Sequence, residues 1–70
     1  MRIEYDPEAN ALYICFREAK SVSNIDVEEG ITVDIDEQKH LVGIEILDAS
    51  HRIPRDSLAT ITLQNLFTST

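Results

Sequence analysis

The stretch Gly30-Ile31-Thr32-Val33-Asp34-Ile35-Asp36, followed after a polar break by Leu41-Val42-Gly43-Ile44-Glu45-Ile46-Leu47-Asp48, decides the fold of this 70-residue chain. Apolar and polar residues alternate in both segments with a period of two, which is typical of strands that bury one face and expose the other. The two segments therefore predict a pair of neighbouring antiparallel strands, joined by a turn over residues 37–40.

Three further strands are predicted upstream of this stretch. Residues 2–6 and 11–17 alternate in the same way around Asp6-Pro7-Glu8-Ala9-Asn10, whose residue types favour a turn, so they predict a hairpin. A shorter strand around Ile25 and Val27 enters the next strand through Glu29-Gly30, where glycine allows a positive φ. Because the strands follow one another through short polar connections, we predict an α+β domain with a five-stranded antiparallel β-meander.

The pattern changes at Pro54. Residues 54–67 place Leu58, Ile61 and Leu66 at a spacing that an amphipathic helix allows, which predicts one C-terminal helix. Residues 59–63 are also rich in β-branched side chains and alternate, so an extra strand remains open as an alternative. Residues 1–70 are expected to form a single small domain, with the sheet in residues 1–53.

Composition limits the classes of function. Thirteen acidic residues against six basic ones give a net charge of −7, which repels nucleic-acid backbones and anionic lipid surfaces. No apolar run approaches the roughly 18 residues that a membrane span needs, and no segment has the pattern of a signal peptide. The single Cys15 cannot form an internal disulfide and fits a reducing cytoplasm. We expect an acidic, cytoplasmic protein that binds neither nucleic acid nor membrane.

One face of the predicted sheet is too apolar to remain in water. A chain of this length buries only about 60% of its unfolded surface, and one short helix covers little of a sheet. We therefore expect a homodimer that shares this face or its edge strands. The residues of this face are Ile3, Tyr5, Leu12, Ile14, Phe16, Ile25, Val27, Ile31, Val33, Ile35, Val42, Ile44 and Ile46.

The residues with the chemistry for a reactive site form no convincing pattern. Asp34, Asp36 and Glu45 are weak candidates for a divalent metal site, but alternating acids are also what the wet face of a strand requires. The run Asp48-Ala49-Ser50-His51 contains the residue types of a hydrolase, yet four consecutive residues cannot surround one substrate as a catalytic triad does. We predict no catalytic residue, no metal site and no cofactor.

Two places are candidates for binding a partner. Tyr13 and Cys15 share a sheet face with the acidic residues and make it unusually apolar for a wet face, so something is expected to cover them. His51 and Arg52 bring positive charge to the end of the fifth strand. These four residues are the predicted partner-binding set.

Three sequence blocks resemble a known family. They are Ile3-x-Tyr5-Asp6-Pro7-Glu8-Ala9-Asn10-Ala11-Leu12-Tyr13-Ile14, then Gly30-Ile31-x-Val33-Asp34-x-Asp36, then Leu41-Val42-Gly43-Ile44-Glu45-Ile46-Leu47-Asp48-Ala49-Ser50. Together they resemble the prokaryotic family catalogued as domain of unknown function 2283, over about residues 1–53. The resemblance implies a mostly β module without an assigned activity, and it permits an antitoxin-like role beside a small toxin-like protein.

The function that we predict is a non-catalytic protein-interaction module, with a second copy and a basic protein as its partners. The alternative is a domain that binds a small ligand or a divalent metal, either in a cleft between subunits or at the carboxylates of the fourth and fifth strands. Thermal stabilisation by one divalent ion and not by others would favour that alternative, because a ligand that binds only the folded state stabilises it.

Overall fold

The computed structural model describes residues 1–64, which form a five-stranded antiparallel sheet and two four-residue helices. All five predicted strands are confirmed to within one or two residues at their ends. The elements are β1 (Arg2–Asp6), β2 (Ala11–Cys15), β3 (Ser23–Glu28), β4 (Ile31–Ile35), β5 (Leu41–Leu47), α1 (Ala49–Arg52) and α2 (Arg55–Leu58).

The strand order is β1-β2-β5-β4-β3, so the predicted meander is wrong at one connection. The connection between β2 and β3 leads to the far edge of the sheet, and β5 fills the place beside β2 that the meander gave to β3. Two hydrogen bonds mark its course past the ends of the intervening strands: the Phe16 amide donates to the Val42 carbonyl at 2.7 Å, and the Val22 amide donates to the Ile35 carbonyl at 2.9 Å. A central position suits β5, the longest strand, because a central strand pairs on both edges.

Aspartate side chains organise two of the turns. The Asp6 carboxylate accepts the amides of Glu8 and Ala9 at 2.9 and 3.3 Å, and Asn10 then takes a left-handed φ of 52°. The Asp36 carboxylate accepts the amides two and four residues further on, each at 2.9 Å. Where the chain reverses, these local hydrogen bonds satisfy backbone amides that have no partner on a neighbouring strand. The residue types of both segments predicted such turns.

Strand register divides the sheet into two chemically different faces. What we call the apolar face has two rows of residues across the strands, and so has the polar face behind it. The apolar face consists of the row Ile3, Ile14, Ile44, Val33 and Ile25 and the row Tyr5, Leu12, Ile46 and Ile31. The polar face consists of the row Glu4, Tyr13, Glu45, Thr32 and Asp26 and the row Arg2, Cys15, Gly43, Asp34 and Asn24.

Few side chains are buried. Within residues 1–64 the buried apolar residues are Cys15, Val42 and Ala49, and none of these belongs to the two apolar-face rows. Ile25 is 57% exposed and Tyr5 is 40% exposed, while the other seven residues of the apolar face are half-buried. The described part of the chain therefore has one sheet layer, whereas a stable domain packs two layers around a core.

Four of the thirteen residues that were predicted on this face lie outside its two rows: Phe16, Val27, Ile35 and Val42. Ile35 pairs with Leu41 beyond the register shift between Asp34 and Ile35, and Val42, which that shift leaves unpaired, is 3% exposed. Phe16 lies just beyond the end of β2 and is 40% exposed. Val27 lies at the register shift between Asp26 and Glu28, where β3 departs from regular pairing, and it is 61% exposed. Periodicity assigns faces only while the strand stays regular, so it does not fix side chains beyond the end of a strand or at a register shift.

The segment after β5 differs from the predicted C-terminal helix. Two short helices, α1 and α2, replace one longer helix, and residues 59–64 are neither helix nor strand, so the alternative of an extra strand is also wrong. The β-branched Thr60, Ile61 and Thr62 disfavour further helical turns, which explains why α2 ends at Leu58. The predicted element extended to residue 67, and residues 65–67 lie outside the described part of the chain.

Candidate functional site

The polar face is organised around a tyrosine that spans three strands. Tyr13 on β2 reaches across β5, and its hydroxyl donates to the Asp34 carboxylate on β4 at 3.0 Å. It passes over Gly43, where a β-carbon would lie 2.6 Å from the Tyr13 ring carbon Cζ and 2.7 Å from the Ile14 carbonyl oxygen. A glycine inside an apolar strand is thus explained by close approach of another group.

The environment of Tyr13 changes its chemistry. Partial burial is the larger cause and the hydrogen bond to Asp34 the next, and together they raise the pKa of the Tyr13 phenol above its ordinary value. The phenol therefore stays protonated and acts as a donor at neutral pH. Its hydroxyl is committed to Asp34, so the part of Tyr13 that remains available to a partner is its ring.

Cys15 is covered by the chain itself. It is 4% exposed, and its Sγ lies 3.2 Å from the Arg17 carbonyl oxygen and 3.8 Å from Glu18 Oε1. The segment that follows β2 therefore supplies the cover that the sequence led us to expect over this part of the face. A partner would have to displace that segment to touch the thiol.

Charged side chains on the polar face are partly paired. Arg2 forms ion pairs with Glu4 and Glu18, and the charge of Glu18 raises the pKa of Arg2 above its ordinary value. Thr32 donates to the Asp26 carboxylate at 3.0 Å. Because Arg2 is the one basic residue in the two polar-face rows, this side of the sheet is negative.

The three weak metal candidates are used inside the chain or kept apart. Asp34 accepts from Tyr13, whereas Asp36 lies beyond β4, with Arg17 at 3.6 Å and the His40 ring at 3.9 Å. Glu45 stands in the other polar-face row, opposite Thr32. Within residues 1–64, no three His, Cys, Asp or Glu side chains converge on a position that could hold a metal ion.

The helix α1 joins the first hairpin to the end of β5. The Asn10 side chain donates to Ser50 Oγ at 2.9 Å and accepts from the Ser50 amide at 3.0 Å and from the Tyr5 hydroxyl at 2.7 Å. The Ala49 amide also donates to the Asn10 carbonyl at 2.9 Å, and Ala49 is fully buried. Sequence analysis missed this link, because the two segments lie 40 residues apart.

Arg52 joins α1 to the second hairpin. Its guanidinium donates to the Leu47 carbonyl and to the Glu28 carboxylate, each at 3.0 Å, and to the Glu29 carbonyl. It lies against Gly30, whose φ is 87°, in the turn between β3 and β4. These bonds occupy the side chain, so Arg52 holds the turn in place.

His51 is more accessible than Arg52. Its side chain is 78% exposed, with Nδ1 2.6 Å from Asp48 Oδ1, and this hydrogen bond raises the pKa of His51. The predicted partner-binding set is therefore divided: Tyr13 and Cys15 lie on β2, and His51 and Arg52 lie in α1. Their role in binding stays a prediction.

The fold and these two faces define a small α+β domain built on one open antiparallel sheet. Neither helix in residues 1–64 has the length or the apolar character to span a bilayer. Residues 2–50 match the family described as "Protein of unknown function (DUF2283)", and the chain belongs to this family. The match confirms the resemblance that the sequence blocks indicated. No curated protein and no solved structure matches the chain.

Proposed function

We propose that this domain is a non-catalytic protein-interaction module whose apolar face is covered by another protein surface. The observation that supports the proposal is the apolar face itself, a continuous set of nine uncharged side chains across all five strands, none of them fully buried within residues 1–64. Exposed apolar patches of more than a few hundred Å² are typical of interaction sites.

Energetics favour a covered face. Full burial of one large aliphatic side chain is worth roughly 1.5–3 kcal/mol, and the total stability of a small domain is only about 5–15 kcal/mol. Complete burial of the half-buried residues and of Ile25, which is 57% exposed, would therefore add a free energy of the same order as the stability of the domain. Association with a second surface gains that stabilisation.

A partner of the polar face is proposed to be basic. The chain carries a net charge of −7, and the two polar-face rows hold Glu4, Glu45, Asp26 and Asp34 against the ion-paired Arg2. Opposite charge accelerates association and selects partners. A small toxin-like protein is one partner of this kind, and the exposed His51 of α1 is a separate candidate contact outside the polar-face rows. A free cysteine and this charge suit a cytoplasmic setting.

The proposal is tested by affinity capture from a lysate of the native host, using the tagged 70-residue chain and two variants. Ile25→Asp places a carboxylate on the apolar face, and Asn24→Asp places the same group on the polar side of the same strand. We expect a stoichiometric protein with wild type and with Asn24→Asp, and its loss with Ile25→Asp. A folded Ile25→Asp chain that retains every captured protein would contradict the proposal.

A further inference from the structure

We infer that the occupant of the apolar face is a second copy of this chain, packed face to face about a twofold axis. This inference rests on the proposed function and decides between two modes of self-association that the sequence leaves open, a shared face and shared edge strands.

Charge favours a second copy on this face. The nine residues of the apolar face are uncharged, and Glu28, which continues the second row opposite Ile31 beyond the register shift, is already paired with Arg52, so the face offers little that would select a basic protein. Two copies of it are complementary to each other, because each presents only aliphatic side chains and Tyr5, whose hydroxyl is already bonded to Asn10. In a face-to-face dimer both polar faces point outward, and the acidic groups of the two copies stay separated by the sheets.

The size of the face suits a weak dimer. Five strands about 4.8 Å apart and about five residues long at roughly 3.3 Å per residue give a flat area of about 400 Å² per copy. Two copies contribute about 800 Å² of flat area, which is below the roughly 1,200 Å² at the lower end of stable interfaces and corresponds to a weak, concentration-dependent dimer. A second sheet at the usual spacing of about 10 Å would complete a two-layer sandwich.

The edge strand β3 is unsuited to pairing with itself. Asn24 and Asp26 share one side of the strand and Glu28 follows beyond a register shift, so a twofold pair of β3 strands would bring acids of one copy close to acids of the other. The register shift between Asp26 and Glu28 also interrupts its regular backbone pattern. Acidic residues and irregularities are the usual protection of exposed edges against strand pairing.

Sedimentation velocity of the 70-residue chain between micromolar and near-millimolar concentration tests this inference. Wild type is expected at twice the 7.9 kDa chain mass. Ile25→Asp is expected to raise the dimer Kd by at least about 100-fold, because each dimer would bury two unpaired carboxylates. Asn24→Asp is the matched control and should leave Kd within about threefold of wild type. Ile25 is 57% exposed in the single chain, so its replacement should leave the monomer folded, which circular dichroism checks.

A third variant separates the two modes of association. Asp26→Asn removes the central acid of the β3 edge, so it should tighten an edge-paired dimer and leave a face-to-face dimer unchanged. Ile25→Thr, which keeps the β-branched shape, should weaken the dimer measurably even if Ile25→Asp does not fold. A wild-type chain of 7.9 kDa at every concentration, or a dimer sensitive to Asp26→Asn and insensitive to both Ile25 variants, would overturn the inference. An Ile25-dependent foreign partner would still preserve the proposed function in that case.

Discussion

Gly43→Ala is the substitution whose effect follows most directly from the geometry of the sheet. The added β-carbon would lie 2.6 Å from Tyr13 Cζ and 2.7 Å from the Ile14 carbonyl oxygen, and the latter is backbone that cannot rotate away. Overpacking of this kind costs about 1–3 kcal/mol. If Tyr13 swings aside, its hydrogen bond to Asp34, worth about 1 kcal/mol, is lost instead. Alanine also lowers the conformational entropy of the unfolded chain, which stabilises the folded state by about 0.4–1 kcal/mol and offsets part of this cost.

We therefore expect Gly43→Ala to lower the free energy of unfolding by about 1–3 kcal/mol. Urea denaturation followed by circular dichroism at one fixed protein concentration measures it, because self-association would make the midpoint depend on concentration. The same substitution in a Tyr13→Val background is the control, since the side-chain part of the clash is then absent and the cost should fall by about 1 kcal/mol. A neutral or stabilising Gly43→Ala, or strict additivity with Tyr13→Val, would refute this account.

Three further predictions concern the turns and pH. Asn10→Gly keeps the left-handed backbone conformation but loses the side-chain hydrogen bonds to Ser50 and Tyr5, whereas Asn10→Ala loses these bonds and also disfavours the left-handed conformation. In denaturation experiments the free energy of unfolding should therefore be highest for wild type, lower for Asn10→Gly and lowest for Asn10→Ala, with about 1 kcal/mol per step. The pKa of Tyr13 is raised in the folded chain, so the stability that this phenol contributes should be complete below its ordinary pKa of 10.0 and fall at higher pH. Tyr13→Phe should remove this pH dependence of the urea midpoint. Hydrogen bonding, first from the His40 amide, lowers the pKa of Asp36. The stability that this carboxylate contributes should therefore be complete above the ordinary pKa of 3.8 and be lost as the pH drops through the lowered pKa. A similar loss of stability in acid for Asp36→Ala would contradict this.

Sequence periodicity predicted the strands and nine of the thirteen residues of the apolar face correctly, but not which strands are neighbours. A repeat of two residues predicts which side chains share a face of the sheet. Short turns predict which strands form hairpins. The connection from Phe16 to Val22 is neither a tight turn nor a helix, so its length is compatible with pairing β2 to β3 or with crossing to the far edge. The apolar character of Val42 and Gly43, both buried in β5, was the available signal for a central strand.

The contacts around the candidate sites were beyond sequence reasoning for a related reason. Asn10 and Ser50 meet because β5 brings the start of α1 back to the first turn, and no local pattern encodes a bond across 40 residues. The sequence shows that Tyr13 is unusual for a face in contact with water. That its side chain lies over Gly43 and reaches Asp34 depends on the strand register, which the sequence pattern does not give. The short helices were mispredicted because spacing in a stretch with β-branched residues supports either helix or strand.

The central position of β5 has a consequence for synthesis and turnover of the chain. Until residue 47 has left the ribosome, β1–β2 and β3–β4 exist only as separate hairpins, and an isolated hairpin is at best marginally stable in water. Insertion of one strand then joins both halves in a single event. A chain that stops before β5 would hold two hairpins with no strand to join them, and a cut between Leu41 and Leu47 would leave two pieces without a complete central strand, so both products are expected to have little structure that resists further proteolysis.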